Sequence, residues 1–127
     1  MKTIMSVGQC NPDHNALSNF MTRNLECNII RIDSTEEAIE ALRKQSVDLV
    51  LVNRKLDVDY TDGTILIERM KKDEALRVIP IMLISNYPDA QEEAIGKGAV
   101  RGFGKLEFQS NEVIKRVKET LGLQIEA

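Results

Sequence analysis

The chain has no tryptophan, one histidine, two cysteines and three prolines in 127 residues. Three phenylalanines and two tyrosines are its only aromatics, so it is poorly supplied with platforms for stacking nucleic-acid bases. Cys10 and Cys27 are too few for a disulfide framework, and with His14 alone beside them they lack the spacing of a zinc site. A basic surplus is absent as well: 17 Lys and Arg stand against 20 Asp and Glu, for a net charge of −3, which argues against a protein living on nucleic-acid phosphates. No apolar run approaches the roughly 18 residues needed to span a bilayer. The apolar part of Met1–Gly8 is too short for a signal peptide, so a soluble, cytoplasmic protein is expected, with neither nucleic acid nor membrane as a partner. No repeat, low-complexity tract or linker interrupts the chain, and its length predicts a single domain over 1–127.

What the chain does have is alternation. Short apolar, β-rich runs at Thr3–Val7, Cys27–Ile32, Asp48–Val52, Val78–Ile84 and Val100–Gly104 are each followed by a helical pattern. The first helix is expected over 14–25, with Ala16, Leu17, Phe20 and Met21 on one face. Ser34-Thr35-Glu36-Glu37 has the form of a capping box and opens the second, and Ser110 can cap the last. Met5, Met21, Met70 and Met82 fall at core-type positions. Five β-then-α units predict a parallel sheet with helices on both faces, whose functional crevice lies at the carboxyl ends of the strands. The residues found there are Gln9 and Cys10 after the first strand, Asn53 with Arg54-Lys55 after the third, Ser85-Asn86 after the fourth and Lys105 after the fifth.

Over about residues 3–122 the chain resembles a response regulator receiver domain. The resemblance is carried by the order and spacing of Val47-Asp48-Leu49-Val50-Leu51-Val52, Asp62-Gly63, the run Val78 to Ser85, and Gly98-Ala99 seven residues before Lys105. It implies a flavodoxin-like, doubly wound α/β fold: five parallel strands in the order 2-1-3-4-5 and five helices. Typical members bind Mg²⁺ and accept a phosphoryl group on an Asp at the end of the third strand. This chain departs from the pattern where that chemistry sits. The acidic pair falls on Gln9 and Cys10, and the acceptor Asp falls on Asn53, while the hydroxyl and Lys positions are kept as Ser85 and Lys105. Leu106 stands for the proline after the Lys, and the aromatic switch position falls on Gly102, with Phe103 one residue on and facing the other side of the strand.

Gln9, Cys10 and Asn53 offer amide oxygens and a thiol where a hard cation takes carboxylates, so Mg²⁺ binding is expected to be lost or very weak and no other cofactor is implied. An amide also lacks the anionic oxygen of an acyl-phosphate acceptor. Asn53, Gln9 and Ser85 are expected to hydrogen-bond Lys105 in a neutral plug, with Asp13, Asp57 and Asp59 read as solvated loop charges and His14 as a solvated helix-start residue. Ala99–Leu106 resembles a phosphate loop only loosely, because Leu106 takes the place of its Ser or Thr and a strand lies inside the pattern.

These readings lead to a non-enzymatic signalling module with no catalytic residue and no metal site. It would act by contact with a protein partner, or with a second copy, through a fifth-strand face containing Lys97, Arg101, Gly102 and Phe103. Two alternatives are a switch modified at Cys10 or at a displaced carboxylate, and a receiver still linked to phosphorylation.

Overall fold

A computed structural model of the chain describes residues 1–123. Strands β1 (Lys2–Val7), β2 (Cys27–Ile32), β3 (Leu49–Asn53), β4 (Ile81–Ile84) and β5 (Val100–Phe103) form one sheet in the order β2-β1-β3-β4-β5, and every pair is parallel. Helices α1 (Asn11–Asn24), α2 (Thr35–Lys44), α3 (Thr64–Lys72), α4 (Pro88–Gly96) and α5 (Asn111–Thr120) connect and flank the strands. The expected α/β architecture, strand order included, is the one observed.

Strand periodicity divides the core in two. Val50 and Val52 join Met5, Val7 and Leu83 against Leu42 of α2, Leu66 and Met70 of α3 and Ala94 of α4. Their neighbours Leu49 and Leu51 join Ile4, Ile84 and Phe103 against Leu17 and Phe20 of α1 and Val113 and Val117 of α5. Successive side chains of β3 thus serve opposite layers, which is why the run is apolar without a break. The four methionines at core-type positions are all fully buried. On the α1/α5 side, Phe20, Phe103 and Phe108 form a ring cluster with centroids 5.6–6.1 Å apart.

Local signals set most of the boundaries. The Ser34 hydroxyl accepts from the Glu37 N–H at 3.2 Å and donates to the Glu37 carboxylate at 2.9 Å. Ser110 accepts from the Val113 N–H. α1 begins earlier than its apolar face suggested, at Asn11, because Pro12 suits a first helical turn, where no N–H is needed. β4 is shorter than expected. Val78 is 78% exposed, and the Ile79 N–H closes a turn onto the Leu76 carbonyl. Pro80 therefore meets the sheet only through its carbonyl, which accepts from the Val50 N–H.

β5 is an edge strand, but the edge is not bare. A Cβ on Gly102 would lie 2.1 Å from the Leu83 carbonyl oxygen, so only glycine lets β5 approach β4 this closely. The ladder is irregular between Met82 and Ile84, and the buried Gln91 of α4 fills the gap. Its Nε2 donates to the carbonyls of Leu83 (2.9 Å) and Ser85 (3.0 Å), and its Oε1 accepts from the Gly102 N–H (2.9 Å). On the α5 side the Gly102 carbonyl accepts from Arg116 Nη1 at 2.8 Å.

Gly102→Ala is expected to cost about 2 kcal/mol or more, because a methyl group would be driven into backbone rather than into a flexible side chain. A urea titration checks this as a lowered midpoint. The near-isosteric Gln91→Leu would orphan two carbonyls and one N–H and is expected to cost about 3 kcal/mol.

Candidate functional site

The sheet reverses its winding between β1 and β3, and the loops leaving β1, β3, β4 and β5 meet over that point. Gly63 fixes one wall. Its N–H donates to the Arg54 carbonyl at 2.8 Å, and a Cβ there would lie 2.1 Å from the Asn53 carbonyl oxygen. The Asp62-Gly63 pair therefore lets the start of α3 close directly onto the end of β3. Leu56, fully buried, pins the long β3–α3 loop, and the Asp57 N–H ties it to the Gly8 carbonyl at 2.9 Å. Opposite, the Asn86 side chain accepts from the Leu106 N–H at 3.1 Å and holds the β5–α5 loop beside the β4–α4 loop.

Of the residues expected in the crevice, Asn53, Ser85 and Lys105 line one cavity of about 270 Å³, and Gln9 and Cys10 are not part of its lining. The cavity also takes in Arg54, Lys55 and Asn86. The neutral plug does not form. Lys105 pairs instead with the Asp13 carboxylate in the first turn of α1. Asn53 uses its Nδ2 on the Lys55 carbonyl two residues along, at 2.8 Å. Gln9 is 2% exposed, and neither polar atom of its side chain has a partner among the described residues. The physical reason is charge: a lysine ammonium facing an amide and a carboxylate takes the carboxylate.

Asp13 is thus the residue the sequence reading underrated. Burial alone would raise its pKa, but hydrogen bonds from Lys105 and Cys10 and the Lys105 charge hold the carboxyl below its ordinary value. Its place among polar loop residues gave the only available hint. His14 is not a free helix-start residue either. Its Nδ1 lies 3.4 Å from Ser6 Oγ, and burial together with the Arg31 charge holds its pKa down.

The expected interaction face also changes. Gly102 and Phe103 are buried, so neither belongs to a surface; Arg101 is the exposed residue of β5. Arg101 pairs with Glu92, and Lys97 pairs with Glu68 and has its pKa raised by that bond. These cations are tied to neighbouring helices rather than free.

A receiver fold calls for Mg²⁺, and the donor set here does not fit it. Asn53, Gln9 and Cys10 carry no fixed negative charge, and the described residues hold no group of three or more His, Cys, Asp or Glu that could ligate a metal.

This sheet order, winding and loop arrangement define the receiver fold of two-component response regulators. A protein from Chloroflexus aurantiacus J-10-fl assigned as a response regulator superposes with a TM-score of 0.83 at 23% identity, over 95% of this chain and 98% of its own. The receiver domain of NtrX from Brucella abortus gives 0.76 at 20% identity, over 95% and 99%. An uncharacterized protein from Neptuniibacter caesariensis gives 0.76 at 32% identity, over 95% and 87%. At that identity and coverage this chain and the Neptuniibacter protein belong to one family, and its fold is the receiver fold. No family model and no curated protein matches the sequence. Among the described residues no helix is long and apolar enough to cross a membrane.

The lowered Asp13 pKa has a consequence for stability. The unfolded chain binds this proton more readily than the folded one, so the contribution of Asp13 is full above its unfolded pKa and fades as pH falls through the lower folded value. Asp13→Asn is expected to flatten the acid limb of the stability–pH curve. Urea midpoints measured between neutral and acid pH check this.

Proposed function

We propose that this chain is a non-enzymatic receiver module that works through protein contact without aspartyl phosphate and without Mg²⁺. One observation carries the reading: the side chain at the acceptor position is the Asn53 amide, committed to the Lys55 carbonyl, while Lys105 is already neutralised by Asp13. An amide supplies no anionic oxygen for an acyl phosphate, and the pocket supplies no carboxylate cluster for the metal that such chemistry uses. The partner is a protein of a signalling pathway, or a second copy, met through the surface of α4, β5 and α5. With Gly102 in the switch position and Gln91 bonded to both β4 and β5, that surface has one arrangement, so the contact is constitutive. The setting of this fold is the cytoplasm.

A second reading has an observation of its own. Asp13 is a displaced carboxylate that touches the Lys105 ammonium, so it is the place for a covalent switch if one exists. A switch at Cys10 has less support, because the Lys105 ammonium that could activate its thiol is paired with the Asp13 carboxylate.

Incubation with acetyl phosphate and Mg²⁺ is expected to give no phosphoryl adduct by intact mass, and beryllofluoride with Mg²⁺ no change in amide spectra. A Mg²⁺-dependent adduct that survives in the wild type and vanishes in Asp13→Asn would replace this reading with the second one.

A further inference from the structure

A groove of about 450 Å³ opens between the start of α3 and the first turns of α4. Three carboxylates line it, Asp62, Asp89 and Glu93, against one cation, Arg54. Asp62 is paired with Lys55 at 3.1 Å. Arg54 is turned to Tyr87, its guanidinium 5.8 Å from the ring centroid. Asp89 and Glu93 are exposed and have no ion-pair partner among the described residues; the lysine whose charge Glu93 feels, Lys97, is bonded to Glu68. These two free acids stand four residues apart on α4 and so share one face of it.

Thr64 is an independent sign of a guest. It lines the groove at 7% exposure, and its hydroxyl has no hydrogen-bond partner among the described residues. A polar group so nearly buried ordinarily has one. Leu83 and Ala90 give the same groove an apolar wall. The carboxylates do not converge on a point: among the described residues no group of three or more His, Cys, Asp or Glu is placed to hold a metal ion. Separated negative charges beside an apolar wall fit an extended organic cation better than a compact ion.

We propose that this groove binds a short aliphatic diamine, with its two ammonium groups on Asp89 and Glu93, its methylene chain against Ala90 and Leu83, and the Thr64 hydroxyl accepting an ammonium N–H. Residues four apart on a helix have Cβ atoms about 5–6 Å apart, which suits the span between the nitrogens of such a molecule. A volume of about 450 Å³ lies within the range of pockets for small organic ligands. The guest would bear on α4, the helix whose Gln91 joins β4 to β5. The groove is thus a second input to the module, separate from the chemistry of the strand-end crevice and independent of how that crevice is read.

The test is a titration of the protein with 1,4-diaminobutane at constant ionic strength, followed by amide resonances. Saturable shifts are expected at Thr64, Ala90 and Glu93. Glu93→Gln, at an exposed position that folding tolerates, should weaken the site about fivefold, whereas the exposed, charge-matched Glu112→Gln of α5 should leave it unchanged. The near-isosteric Thr64→Val should weaken it about threefold. Butylamine, with one ammonium group, should bind about fivefold more weakly than the diamine. The proposal is overturned by an absence of saturable shifts, by butylamine binding as tightly as the diamine, by Mg²⁺ reproducing the same shifts, by equal weakening in Glu93→Gln and Glu112→Gln, or by unchanged affinity in Thr64→Val.

Discussion

The charge left at the carboxyl edge of the sheet decides what this crevice can hold. Lys105 brings an ammonium to the mouth of the site, and the end of β3 brings an amide. The ammonium takes the carboxylate that α1 offers, at Asp13. That pair ties the first helix to the loop before the last, across the point where the sheet changes winding. Asn53 then has no partner across the crevice and turns to its own loop. The cavity is bordered by Arg54, Lys55 and Lys105 with no carboxylate in its lining, and Asn53 presents an amide where a hard cation prefers a carboxylate.

A second constraint lies beside the first. Gly102 brings the edge strand against the β4 backbone, and the Gln91 amide replaces the ladder bonds this approach displaces. Three satisfied bonds to a buried amide make a stiff joint, because breaking any one strands a polar group away from water. A side chain at position 102 has no room between β5 and the Leu83 carbonyl.

Much of this was legible in the sequence, and for identifiable reasons. Alternating units gave the layers, Ser34 and Ser110 marked helix starts, and the unbroken apolar run of β3 marked a strand covered on both faces. Asn53, Ser85 and Lys105 were placed in one crevice by topology alone. What could not be read were partnerships made across distant loops. Asp13 looked like one polar residue among many, and nothing local ties it to Lys105. Gln91 carries no local signal of the three bonds its amide makes to β4, Ser85 and β5. Gly102 read as a missing aromatic, when its decisive property is the space it leaves to the Leu83 carbonyl. Val78 carried β propensity into a turn that Pro80 already ended.

The central claim is that Lys105 is committed to Asp13 because Asn53 cannot take it. A double-mutant cycle between Asp13→Asn and Lys105→Met, measured by urea unfolding at neutral pH, tests it most directly. Both side chains retain some solvent access, so the coupling should be modest, about 0.5–1 kcal/mol, and it should shrink when the cycle is repeated with Asn53→Asp in place. No coupling in the natural background, or coupling that the Asn53→Asp change leaves untouched, would contradict the account.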